Sequence, residues 1–222
     1  MNTSLKDESL ENRPLNLIVA GVGGQGILLT ARIIATAAMN QGIWVSIGET
    51  FGASRRGGTV LSHIRLSSLK ARTTVKQHPL LMGPLVPHNQ VDLLIGLEPL
   101  EALRAAPYLN PRSVVLLNEY LQPPVKVLAD QTQLPTFSAI CQRLTQLVAR
   151  LHTVDALQLA QQAGEIRTAN TVMLGALASL QLTPINPAAF ETAIAEQFTN
   201  DKVRKLNLNA YRLGFQHFRS TN

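Results

Sequence analysis

Leu15-Asn16-Leu17-Ile18-Val19-Ala20-Gly21-Val22-Gly23-Gly24-Gln25-Gly26-Ile27-Leu28-Leu29 decides how the rest of the chain is read. An apolar run fit for a buried strand breaks at four glycines and resumes as a helix. Leu28, Leu29, Ile33, Ala35, Ala37 and Ala38 spread over the turns from Gly26 to Met39, so the stretch predicts strand, tight turn and helix. The first amides of such a helix have no partner within it and point out of the turn, where an anion or a carbonyl oxygen can accept them. The spacing Gly21-x-Gly23-x-x-Gly26 is also that of dinucleotide-binding turns, which place an acidic residue about twenty residues on to hold a ribose. Glu49 stands near that place. Three uses stay open for the turn: a phosphate-bearing ligand, a partner chain, or close packing of helix on strand.

Downstream, Gly42 ends the helix and Ile43 to Ile47 reads as a second strand, giving an opening βαβ unit with a parallel pair. The segment from Gly48 to Gly58 is too rich in glycine for a helix and too polar for a core strand. It is expected as a surface loop beside the glycine turn, because open α/β sheets place ligands at the carboxyl ends of their strands. Thr59 to Leu66 alternates as a strand, with Val60, Ser62, Ile64 and Leu66 on one face and Leu61, His63 and Arg65 on the other. A lone histidine such as His63 is more often structural than catalytic. A short strand is expected around Thr73 to Lys76, then a proline-stiffened loop to Gln90.

Val91 to Gly96 and Ser113 to Asn118 have buried-strand character, with a helix opening at Glu98-Pro99 between them. Glu98 either favours that helix's N-terminus or faces the ligand mouth. Thr136-Phe137 is expected as a short strand before a helix from Ser138 to Arg150, and Leu151 to Val154 as a last strand before the helix Asp155 to Gln162. Helical spacing returns over Ala169 to Leu180, Pro187 to Phe198 and Asp201 to Phe218. Residues 1–14 read as a flexible tail and 15–222 as a single domain.

Composition narrows the function. Charged residues make up 15% of the 222 and hydrophobic ones 45%, an apolar balance that points to a partner. The net charge of +6 comes from scattered basic residues rather than a dense basic face interleaved with aromatics, which argues against nucleic acid. With Cys141 as the sole cysteine, the chain can build neither an internal disulfide nor a cysteine-ligated iron–sulfur cluster. Met1 to Pro14 holds no apolar core of the length a signal peptide needs and no later run approaches a membrane span, so a cytoplasmic location is expected.

Four stretches in order, Gly21 to Gly26, Ser54-Arg55-Arg56-Gly57-Gly58, Asp92 with Gly96 to Ala102, and Ala169 to Ala176, resemble the gamma-type domain of 2-oxoacid:ferredoxin oxidoreductases, in particular its indolepyruvate branch. The resemblance spans Leu15 to the C-terminal helix. It implies an α/β fold of three α/β/α layers, with a mostly parallel or mixed sheet and a C-terminal helical arm. It further implies a subunit, inactive alone, of an enzyme that oxidatively decarboxylates an aryl or branched 2-oxoacid to an acyl-CoA with reduction of ferredoxin. Thiamine diphosphate, magnesium and the iron–sulfur clusters would belong to a larger alpha subunit. This chain would bind none of them, would take coenzyme A as a possible co-substrate, and could form a homodimer in isolation.

Carried over residue by residue, the resemblance makes the backbone of Gly23, Gly24, Gln25 and Gly26 a cradle for an anionic or carbonyl group. Arg56 with Gly57 and Gly58 would meet a phosphate or the partner, and the Arg55-Arg56 pair would favour a phosphate-rich ligand such as coenzyme A. Gly21, Ser54, Glu98 and Asn170, with Glu49 from the dinucleotide spacing, complete the candidate set. Arg55 stands where the indolepyruvate branch more often has glutamine, and His88-Asn89-Gln90 where a glycine-containing turn is expected. Two other readings are a stand-alone dinucleotide-binding oxidoreductase and an interaction module that has lost its chemistry.

Overall fold

A computed structural model describes residues 13–52, 57–67, 83–121 and 135–219. Its centre is a six-stranded mixed sheet in the order β2-β3-β1-β4-β5-β6. In chain order these are β1 (Leu15–Val22), β2 (Trp44–Phe51), β3 (Thr59–Ser67), β4 (Leu93–Gly96), β5 (Val114–Asn118) and β6 (Arg150–Val154). β1 runs parallel to β4, β4 to β5 and β5 to β6, whereas β3 is antiparallel to both β1 and β2.

The opening unit therefore differs from the expected adjacent parallel pair, because β3 inserts between β1 and β2. β2 also runs four residues beyond Ile47, to Phe51. Alternation of Gly48, Glu49 and Thr50 against His63, Ser62 and Leu61 keeps the pairing going through a stretch whose composition reads as loop. The strand expected near Thr73 lies outside the described residues.

Alternate residues of the central strands feed two cores. Leu17, Val19, Ile64, Leu93, Ile95 and Leu116 face the larger one. That layer is built by α1 (Ile27–Met39), α4 (Ala156–Ala163), α5 (Ala169–Ser179), α6 (Pro187–Gln197) and α7 (Asp201–Arg219). Ile18, Ala20, Leu94, Val115 and Leu117 face the smaller core, covered by α2 (Pro99–Arg104) and α3 (Phe137–Thr145). Helices on both faces make the three-layer α/β/α arrangement, with the long α7 as the C-terminal arm.

Helix starts follow local chemistry. Asp155 accepts from the amide of Gln158 at 2.9 Å and Asn186 from that of Ala188 at 3.0 Å. Thr136 caps α3, accepting from the Ala139 amide at 3.2 Å, so the short strand expected at Thr136-Phe137 is absent and both residues serve the helix start. Arg13 donates twice to Asp92, at 2.9 and 2.8 Å, fastening the chain just ahead of β1. Asn89 takes φ 57, so an asparagine supplies the left-handed conformation where glycine is expected. No helix among the described residues is long and apolar enough to cross a membrane.

His63 is structural. Fully buried, it accepts from the Val86 amide at Nδ1 (3.2 Å) and meets Tyr108 edge-on at 5.3 Å. Burial pushes its pKa below the ordinary histidine value, and His152 shifts the same way through burial and then Arg150. Below about pH 6.5 the unfolded chain takes up protons that the folded chain refuses, so stability falls as pH falls through that range. Urea midpoints at pH 7.5 and 5.5 should show this loss, reduced in His63→Gln. A midpoint unchanged between the two would contradict it.

Candidate functional site

The glycine turn sits where open α/β sheets hold their ligands, outside the carboxyl ends of the strands. The helix after β1 packs on one face of the sheet and the helix after the parallel neighbour β4 on the other, so a crevice opens between the two carboxyl ends. The four glycines there do different work. A Cβ on Gly21 would lie 2.8 Å from Oε1 of Gln25 and 3.1 Å from Ile27, so this position is dictated by packing. That same Gln25 oxygen accepts from the Val22 amide at 2.9 Å and closes the turn on itself. Gly24 and Gly26 hold φ 102 and 81, backbone that side chains resist. Gly23 has neither constraint. A Cβ there would meet nothing nearer than 3.8 Å.

α1 begins at this turn without a side-chain cap and without an acidic residue in its first turn. Its first internal bond runs from the Thr30 amide to the Gly26 carbonyl at 2.8 Å, leaving the amides of Ile27, Leu28 and Leu29 outside the helical ladder. Asn170, at the start of α5, packs so close that a Cβ on Gly26 would lie 2.7 Å from its Nδ2. That nitrogen donates to the Thr30 hydroxyl at 3.4 Å, and Thr30 donates to the Gly26 carbonyl at 2.9 Å. Residues 140 apart in sequence thus brace one turn.

Two clefts flank it. One, of about 580 Å³, lies between the turn and the start of β3, lined by Gly23, Leu28, Phe51, Gly57, Gly58 and Val60 among others. Gly58 joins it because its carbonyl accepts from the Gly23 amide at 3.0 Å, so Gly57 and Gly58, the end of the segment expected as a loop, lie beside the turn. The other, about 350 Å³, is the crevice at the ends of β1, β4 and β5, and includes Gln25, Leu97, Asn118, Tyr120, Arg167 and Asn170 in its wall. Gly24 and Gly26 line both.

Sequence reading missed Asn118, Tyr120 and Arg167. Asn118 was detectable as the polar residue ending an apolar strand at the ligand side of the sheet. Its Nδ2 donates to the Leu97 carbonyl at 3.1 Å and its Oδ1 accepts from the Ala156 amide at 3.2 Å, tying β4, β5 and α4 together. Asn118→Ala should cost about 1–3 kcal/mol by stranding both groups, read as a lowered denaturant midpoint. A midpoint equal to that of the parent chain would show that the wall stands without it.

Two expected residues lie elsewhere. Glu49 is exposed in the middle of β2, opposite Ser62, and lines neither cleft. With β3 interposed, β2 is about 10 Å from β1, so a ribose at the glycine turn has no acidic partner there. Glu98 caps α2, its carboxylate accepting from the Glu101 amide at 2.8 Å while the residue is 1% exposed. Ser54, Arg55 and Arg56 lie outside the described residues.

Among known proteins, residues 16–217 match the pyruvate ferredoxin/flavodoxin oxidoreductase family. The chain belongs to that family. It is similar to indolepyruvate oxidoreductase subunit IorB of Archaeoglobus fulgidus, 37% identical over 90% of this chain and 94% of that one. It is also similar to ketoisovalerate oxidoreductase subunit VorA of Methanothermobacter thermautotrophicus, 28% identical over 88% of this chain but only 35% of the relative.

In fold it resembles a 2-oxoglutarate:ferredoxin oxidoreductase from Magnetococcus marinus solved with 2-oxoglutarate, coenzyme A and succinyl-CoA bound. The TM-score is 0.67 at 21% identity, over 95% of this chain and 32% of that one, so this chain spans about a third of that polypeptide. Family membership gives the ordered stretches a common setting, since the first and the last of them meet where Gly26 touches Asn170.

Proposed function

We propose that this chain is the small subunit of a 2-oxoacid:ferredoxin oxidoreductase of the indolepyruvate type. In this reading it holds the anionic, coenzyme A side of the reaction at the glycine turn while a larger subunit carries out the redox chemistry. The observation that carries the assignment is the near full-length similarity to an indolepyruvate oxidoreductase subunit. The site supports the division of labour. Its open groups are the backbone amides at a helix start, groups that hold an anion or a carbonyl but neither transfer electrons nor take a proton at neutral pH. Arg167, the one charged residue lining the crevice among the described residues, is paired with Glu165 at 2.8 Å.

Thiamine diphosphate, magnesium and iron–sulfur clusters are assigned to the larger subunit. A single cysteine does not supply the four thiolates a cluster takes. Ferredoxin is reached through the complex.

A tagged copy expressed in its own cells should bring down a larger chain containing thiamine diphosphate and iron–sulfur. Purification without such a companion would refute the proposal. The dinucleotide alternative predicts that calorimetry detects nicotinamide or flavin dinucleotides binding the isolated chain. The position of Glu49 argues against it.

A further inference from the structure

β2 closes one side of the sheet, and among the described residues β3 is its one neighbour. Soluble proteins guard such an edge with lysines, prolines or bulges. Here Trp44–Phe51 carries one charge, Glu49, and no proline. Ten large apolar side chains are exposed among the described residues, and six cluster here: Leu28, Met39, Trp44, Ile47, Phe51 and Leu85. They occupy both sides of the edge. Ile47 and Phe51 lie opposite Ile64 and Val60 on the α1 face, while Leu85 lies on the other, close enough that a Cβ on Gly48 would meet it at 2.9 Å. An apolar strip that wraps an edge calls for an occupant arriving edge-on, in line with the sheet.

Resting on the subunit reading above, we propose that the edge strand Trp44–Phe51, with the neighbouring surface of α1, is the seat of the larger subunit. Three observations select this occupant. In the Magnetococcus marinus enzyme and in VorA this fold is about a third of a longer polypeptide, so covalent linkage keeps it with its neighbours. The IorB relative, 94% of which this chain covers, is instead a subunit of about this size, and a subunit of that kind needs a surface that does this work.

The strip is also continuous with the site. Leu28 and Phe51 belong to the strip and to the wall of the larger cleft, so a chain seated on the edge closes that cleft from outside and meets whatever the glycine turn holds. Finally, a second copy on the same edge would oppose two chains of net charge +6 and cover the cleft with a surface that brings no chemistry. Arg32, exposed on α1 between Leu28 and Met39, calls instead for an acidic rim around the occupant's apolar centre.

Hydrogen exchange on the isolated chain and on the complex purified from its own cells tests this. Amides of residues 44–51 should exchange at least tenfold more slowly in the complex. Ile47→Lys should weaken association at least tenfold with the fold retained, while Val203→Lys, an equally exposed apolar position on α7, should leave it unchanged. A complex that forms with residues 44–51 unprotected, or that tolerates Ile47→Lys, overturns the assignment of the surface and leaves the subunit reading intact. An isolated chain that sediments as a dimer with residues 44–51 already protected assigns the edge to a second copy and overturns it too. Failure to form any complex removes both readings.

Discussion

Gly214→Ala is expected to cost the folded chain about 3 kcal/mol or more. α5 and α7 cross so closely that a Cβ on Gly214 would lie 2.1 Å from the carbonyl oxygen of Val172, and one on Gly175 would lie 2.0 Å from that of Tyr211. Both obstacles are backbone, which cannot swing aside as a side chain tip does. The helices would have to separate, losing the burial of Tyr211 against Phe190 and the bond from the Thr171 hydroxyl to Asn207 Oδ1 at 2.7 Å. Gly175→Ala should cost a similar amount. The pair should cost less than the sum, because either change opens the same crossing. Against a total of about 5–15 kcal/mol for a typical domain, such losses are large, and a denaturant midpoint within experimental error of the parent would contradict the packing.

Gly23→Ala is the opposite case. Its added methyl meets only ordinary contacts, 3.8 Å from the Gly58 carbonyl and from Val60, and its backbone is not left-handed. Folding should be little changed, within about 0.5 kcal/mol. The methyl nonetheless enters the cleft beside the open amides of α1. In the reconstituted complex it should lower kcat/KM for coenzyme A at least tenfold, about 1.4 kcal/mol of lost transition-state binding. Gly24→Val adds backbone strain at φ 102 and should lose both stability and activity, which makes it the weaker probe. Full activity in Gly23→Ala would move the ligand away from this cleft.

These two cases also mark what the sequence could tell. Glycine is conspicuous in a sequence, but its reason is not: Gly21 is there for Gln25, Gly24 for its φ, Gly214 for a helix crossing, and Gly23 for none of these. Strands buried on both faces, such as Leu15–Val22 and Val114–Asn118, are readable because their runs are continuously apolar. β2 is harder to read. An edge strand is half-solvated and β2 is held by its pairing with β3, so Gly48 to Phe51, opened by a glycine and polar at Glu49 and Thr50, carries no local strand signal.

The insertion of β3 between β1 and β2 is a long-range choice that no spacing encodes. It is also what removes Glu49 from the glycine turn. Asn170 could be named from the ordered stretches, whereas its contact with Gly26 had to await the fold.

The most direct measurement is 2-oxoacid- and coenzyme A-dependent dye reduction by this chain alone, by the larger subunit alone, and by the two together. The account predicts no turnover from this chain alone and acyl-CoA formation from the pair at a rate at least tenfold above that of the larger subunit. Complete turnover by this chain unaided, or an undiminished rate from the larger subunit without it, would contradict the claim that it holds the ligand and leaves the chemistry to its companion.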